Sequence, residues 1–131
     1  MSNIVPIPEE TEKLAKTIID AAYKVHSTLG PGLLESVYEK CLIYELKVRG
    51  IKFWEQVDIP IIYGGLNIDA GLRIDIMVED AVVVEIKATE QHHPLYEAQL
   101  LTYLKPTKKR LGLLINFNVP VIRQGIKRIA L

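Results

Sequence analysis

The chain has 131 residues, of which 49% are hydrophobic and 24% charged, the profile of one ordinary globular domain. Its formal net charge is zero, and its single cysteine, Cys41, excludes a disulfide framework or a cysteine zinc site. No apolar run approaches the ~18 residues that span a bilayer, and the N-terminus lacks a signal-peptide pattern. We therefore expect a cytoplasmic protein without membrane contact.

Hydrophobic periodicity predicts one mixed α/β domain over residues 1–131, with residues 1–8 as a flexible N-terminal tail. The order is α-α-β-β-β-α-β. The first helix covers Glu9–Leu29, where apolar residues recur every three or four positions, and Gly30-Pro31-Gly32 ends it. The other predicted elements are a helix over 33–49, strands over 52–63, 66–78 and 81–88, a helix from Pro94 to about Lys105 that Pro106 ends, a strand over 111–117 and a candidate edge strand over 125–131.

Residues 72–88, LRIDIMVEDAVVVEIKA, predict a hairpin with one apolar face. Side chains alternate between the faces of a strand, so Leu72, Ile74, Ile76 and Val78 should share one face, as should Val82, Val84, Ile86 and Ala88. If the apolar faces of both strands cover the same core, Val78 pairs with Val82 and residues 79–81 form the loop. In this register Asp75 lies opposite Glu85, and Arg73 lies opposite Lys87.

Two opposed carboxylates predict a cation site. The Cβ atoms of directly opposed residues are about 4.5–5.5 Å apart, where like charges repel. Mg²⁺ or Mn²⁺ would supply the counter-charge, and Lys87, one pleat beyond Glu85, would reach a bound water or a phosphate oxygen. The alternative is a partly exposed salt-bridge cluster, which a two-residue shift in register would produce by pairing Asp75 with Lys87. That shift would place residues 80–82 in the loop, and these residues favour a turn less than residues 79–81 do.

The segment Gly32-Leu33-Leu34-Glu35-Ser36-Val37-Tyr38 resembles the pattern that names the GxxExxY family, a compact branch of the PD-(D/E)XK nuclease superfamily. The likeness extends from about Tyr23 to Ile129. It includes the hairpin and the segments EAQLLTYL and LGLLINFNVP.

This resemblance implies a restriction-endonuclease-like core, a mixed sheet flanked by helices, with the site at the hairpin. By position, it implies that Asp75, Glu85 and Lys87 are the catalytic motif and that Glu35 is a further metal ligand. Gln99, on the helix after the hairpin, matches a polar residue that often points into the site. The proline that often precedes the aspartate is Ile74 here.

Charge is unevenly distributed along the chain. Residues 98–131 contain no acid and carry +7, whereas residues 1–97 carry −7. Such a basic segment can mark a surface for nucleic acid, or it can be an ordinary solvated face. We expect a Mg²⁺- or Mn²⁺-dependent nuclease acting on DNA or RNA, with a homodimer as one way to place two basic segments around a duplex. The alternative is a catalytically inactive module of the same fold that binds nucleic acid or a protein.

Overall fold

The computed structural model describes residues 5–131 and has three helices packed on the two faces of a five-stranded sheet. The elements are α1 Glu9–Leu29, α2 Glu35–Val48, β1 Phe53–Tyr63, β2 Leu66–Val78, β3 Val82–Lys87, α3 Pro94–Thr107, β4 Leu111–Asn116, a 3₁₀-helix Ile122–Gly125 and β5 Ile126–Ala130. The strand order is β1-β2-β3-β4-β5, with β3 and β4 parallel and the other neighbours antiparallel.

This architecture confirms the predicted fold class and element order, including the candidate edge strand. One boundary was wrong: Pro106 does not end its helix, because α3 continues to Thr107. Proline lacks only its own N–H, and the Thr107 hydroxyl donates to the carbonyls of Tyr103 and Leu104 at this helix end. Lys108 then closes the helix in the left-handed conformation.

Two apolar clusters separate the faces of the sheet. On one face, α1 and α2 cover Val82, Val84 and Ile86 of β3. On the other face, Leu100 and Leu104 of α3 cover a smaller cluster. The strand β3 is therefore buried on both faces. The helix α3 partly covers the face that carries Glu85 and Lys87.

Aromatic packing fixes the turn that leads into α2. The Tyr38 ring is fully buried and stacks on Phe117, with ring centroids 4.7 Å apart. Its hydroxyl donates to the Gly30 carbonyl at 2.6 Å and accepts from the Leu33 N–H at 3.1 Å. Tyr38 thus holds the turn that precedes Glu35, the first residue of α2.

Residues 1–4 of the predicted tail lie outside the described residues. In the part of the tail that is described, Ile7 packs against the main core, and Arg110 donates to the carbonyls of Val5 and Pro6. Among the described residues, no helix has both the length and the apolar character needed to cross a membrane.

Candidate active site

The regular ladder between β2 and β3 ends just before the two predicted acids. It pairs Val78 with Val82, as predicted, and its last pair is Ile76 with Val84. Beyond that pair, carboxylates connect the strands: Asp75 Oδ2 accepts a hydrogen bond from the Ile86 N–H at 2.8 Å, and Glu85 Oε1 accepts one from the Asp75 N–H at 3.2 Å. The two acids therefore meet where the strands separate, inserted between them.

An irregularity in the neighbouring edge strand accompanies this separation. Gln56 of β1 has φ +48°, and the β1–β2 ladder lacks the pair between Gln56 and Asp75, although the register is the same on both sides of this gap: Val57 pairs with Ile74, and Glu55 pairs with Ile76. Positive φ is uncommon for residues other than glycine and disrupts regular alternation along a strand.

The sequence prediction was wrong at this point. Ile74 was expected to share a face with Ile76 and Val78, but it packs in the α3-side cluster beside Met77, whereas Ile76 and Val78 pack in the opposite cluster. The chain therefore changes face at Asp75, because regular alternation would keep Ile74 and Ile76 on one side. Arg73 does not face Lys87 either; it forms an ion pair with Asp58 of β1 at 3.1 Å.

Glu85 is the most perturbed group in this region. Its side chain is almost fully buried, and burial, followed by the charge of Asp75, raises its pKa to about 8, although Lys87 opposes the shift. Burial also raises the pKa of Asp75, against the lowering effect of the Ile86 N–H and Lys87. Without a cation, one proton shared by this pair relieves the repulsion.

Two further glutamates of α2 line the same region. Burial and the Asp75 charge raise the pKa of Glu35, and Lys87 lowers it, so Glu35 lies within electrostatic reach of both residues. Glu39, one helical turn later, also has a raised pKa, caused first by burial. The Gln56 amide donates to both carboxylate oxygens of Glu39, at 3.1 and 3.2 Å.

The helix α3 contributes aromatic residues on the other side of the acids. The Lys87 ammonium lies 4.7 Å from the centroid of the Tyr96 ring, a cation–π contact that directs this side chain along α3. Burial and the charges of Glu85 and Asp75 raise the pKa of the Tyr103 phenol, so this phenol lies within electrostatic reach of both acids. Gln99, on the same helix, is exposed and makes no side-chain hydrogen bond within the described residues.

The three histidines take no part in this arrangement. His26 is buried, and its Nε2 forms a hydrogen bond with the Val119 carbonyl oxygen at 2.8 Å. His93 accepts the Leu95 N–H and caps α3, and the Nε2 atom of His92 lies 2.8 Å from a carboxylate oxygen of Glu97.

Comparison with known proteins gives one match: the family model of the PD-(D/E)XK nuclease superfamily matches residues 12–129. The chain belongs to this superfamily. No curated protein and no solved structure matches it significantly. The finer resemblance to the GxxExxY branch stays a prediction.

The site's donor chemistry fits the divalent ion that PD-(D/E)XK nucleases generally use. Among the described residues, no group of three His, Cys, Asp or Glu side chains is arranged to hold a metal alone. Mg²⁺, however, typically takes one or two carboxylates and completes its octahedron with waters and substrate phosphate oxygens. Asp75, which is partly buried, and Glu85, which is buried, would supply those two carboxylates.

Three residues near the predicted site were missed by the sequence analysis: Glu39, Gln56 and Tyr103. Glu39 was detectable, because it follows Glu35 by four positions and so lies on the same side of α2. Tyr103 follows Gln99 by four positions on α3 and was detectable in the same way. Gln56 carries no such signal, since its position depends on its positive φ.

Proposed function

We propose that this PD-(D/E)XK domain is a nuclease that hydrolyses phosphodiester bonds in DNA or RNA with Mg²⁺ or Mn²⁺. The observation that carries the proposal is the inserted pair of carboxylates, Asp75 and Glu85, which lies within electrostatic reach of Lys87. Such a buried pair of like charges needs a counter-cation to be fully ionised. A bound divalent ion would acidify the attacking water and neutralise phosphate charge.

Each residue has a distinct proposed role. Asp75 and Glu85 bind the ion, and the backbone N–H groups of Asp75 and Ile86 orient the two carboxylates. Glu35 assists from the first turn of α2, through an ion-bound water or as a further ligand. Lys87, directed by Tyr96, orients the attacking water and stabilises negative charge on the phosphate. Gln99 contacts substrate from the exposed side of α3.

The decisive experiment compares Glu85→Gln with the wild-type protein on DNA and RNA substrates in Mn²⁺. The variant removes one negative charge with little change in volume, and we expect cleavage to fall by about a hundredfold to a thousandfold, the loss typical of removing one key electrostatic group. Glu10→Gln is the matched control, because Glu10 is exposed on α1 near the hairpin loop. Absence of cleavage by the wild type, or equal cleavage by Glu85→Gln, would refute hydrolysis.

One observation favours a second candidate, a non-catalytic module that binds nucleic acid or a protein. The carboxylates of Asp75 and Glu85 already accept backbone N–H groups, which gives the pair a structural role that needs no ion. Such a module would bind its partner equally well with and without divalent ions. The homodimer that would place two basic segments around a duplex stays a prediction under either function.

A further inference from the structure

A cavity of about 150 Å³ lies on the α3 face of the sheet, and its lining includes Lys87 and Leu114, the residue of β4 that pairs with Glu85. Its walls come from the ends of three strands, from the 3₁₀-helix, and from the loop that leads into α3. The side chains that matter most for its chemistry are Lys87, Lys127, Glu90 and Tyr96. Lys87 thus borders both the acids and this cavity.

The strand register explains why Lys127 reaches the cavity. Leu114 of β4 pairs with Glu85 on one side and with Lys127 on the other, so these three residues form one row across the sheet. Leu114 belongs to the α3-side cluster, and residues directly paired across a ladder point to the same face. Lys127 therefore projects on the same face as Glu85, two strands away.

The same register sets the spacing of the two lysines. Lys87 lies two residues beyond Glu85 on β3, and adjacent strands are about 4.8 Å apart with a rise of about 3.3 Å per residue. The Cα atoms of Lys87 and Lys127 are therefore about 12 Å apart across the cavity. Two flexible four-carbon lysine stems can bring both ammonium groups to one anion held between them.

The charge in the cavity favours such an anion. Within the part of the chain that the structure describes, Lys127 makes no ion pair or side-chain hydrogen bond, unlike Arg128, which is bound to Glu12 at 2.5 and 2.7 Å. Glu90 is the one acidic side chain among the lining residues. The cavity is well below the roughly 300–1,000 Å³ of pockets for drug-sized ligands, so it suits a single small group.

We propose that this cavity is a phosphate subsite, in which Lys127 acts with Lys87 to bind a phosphate of the substrate strand next to the one that is cleaved. The inference rests on the proposed function, because it takes the acidic pair as the point of cleavage. Lys127 is a substrate-positioning residue: it fixes which phosphate lies at the acids. The bound phosphate is either internal or at the end of a strand.

The test measures oligonucleotide affinity by fluorescence anisotropy in EDTA, where binding is read without metal-dependent cleavage. Lys127→Ala should weaken binding about tenfold at low salt, the effect of losing one charge-assisted contact. It should also lower the slope of log affinity against log salt by about 1. Glu90→Gln should act in the opposite direction and tighten binding, because it removes the opposing charge from the lining.

Lys16→Ala is the matched control, since Lys16 is an exposed lysine on α1, across the sheet from the cavity. Oligonucleotides with a 5′-phosphate, a 3′-phosphate or neither separate the two sources: an effect of Lys127→Ala on one phosphorylated end indicates a terminal phosphate, and an equal effect on all three indicates an internal one. Equal losses in Lys127→Ala and Lys16→Ala, weaker binding by Glu90→Gln, or no binding by the wild type would overturn the subsite. If Lys127→Ala weakens binding as expected but the wild type cleaves no substrate, the proposed hydrolysis is refuted and the phosphate subsite is not.

Discussion

The two halves of the β2–β3 hairpin use the same pair of strands for different purposes. In the half near the loop, backbone hydrogen bonds join Ile76–Val78 to Val82–Val84, and apolar side chains fill both faces. In the half beyond Ile76, the carboxylates of Asp75 and Glu85 join the strands instead. The comparison indicates that the regular half supplies stability, whereas the separated half holds a charged pair at a cost in stability. Three substitutions sharpen this contrast.

The largest effect on stability is expected in the regular half. Ile76→Ala removes a fully buried side chain from the main core and should lower the free energy of unfolding by about 2–5 kcal/mol. Urea denaturation measures the change. A loss below about 1 kcal/mol would show that this half does not carry the stability assigned to it.

In the separated half, Glu85→Gln should raise stability in metal-free buffer. The folded-state pKa of Glu85, about 8, lies above the ordinary value of 4.5, so the folded protein holds this proton more tightly. The wild type therefore loses stability as the pH rises from 4.5 towards 8, whereas Glu85→Gln does not. We expect a gain on the order of 2 kcal/mol at pH 8.

The same experiment contains its own control, since the difference between wild type and Glu85→Gln should shrink towards zero below pH 4.5. Glutamine can still accept the Asp75 N–H, so the substitution leaves that hydrogen bond available. If Glu85→Gln were less stable than the wild type at pH 8, the Glu85 carboxylate would stabilise the folded protein and not destabilise it.

The smallest effect is expected at Arg73, two residues from Asp75. Arg73 and Asp58 form an ion pair with both side chains about half exposed or more, and exposed pairs contribute about 0–1 kcal/mol. Arg73→Gln should change the unfolding free energy by less than about 1 kcal/mol and leave cleavage unchanged. A large loss of cleavage with an intact fold would instead assign Arg73 to substrate binding.

The regular half of the hairpin could be predicted from the sequence. Burial of Val78, Val82 and Val84 on one face predicted the observed register and loop. Continuing that register predicted that Asp75 and Glu85 lie close together, although they meet through side-chain hydrogen bonds beyond the ladder and not as a regular pair. Tyr38, the last residue of the segment that resembles the GxxExxY pattern, packs on Phe117 and holds the turn that precedes α2.

The face change at Asp75 could not be predicted, for a physical reason. It lies beside Gln56 of the neighbouring strand, whose positive φ is a conformation that this residue type does not favour, so no local sequence preference signals the irregularity. Without that change, Ile74 would lie on the face of the sheet that α1 and α2 cover. The proximity of Lys127 to Lys87 could not be predicted from the sequence either, because it depends on the order of β3, β4 and β5 in the sheet.

The most direct test of the central claim, that Asp75 and Glu85 form a divalent-cation site, is a calorimetric titration with Mn²⁺ at neutral pH. The account predicts binding of about one ion by the wild type, with release of protons because the shared proton must leave the pair. Asp75→Asn should abolish that binding while Asp69→Asn, an exposed change on the same strand, leaves it intact. Equal Mn²⁺ binding by the wild type and Asp75→Asn, or no binding by either, would contradict the claim.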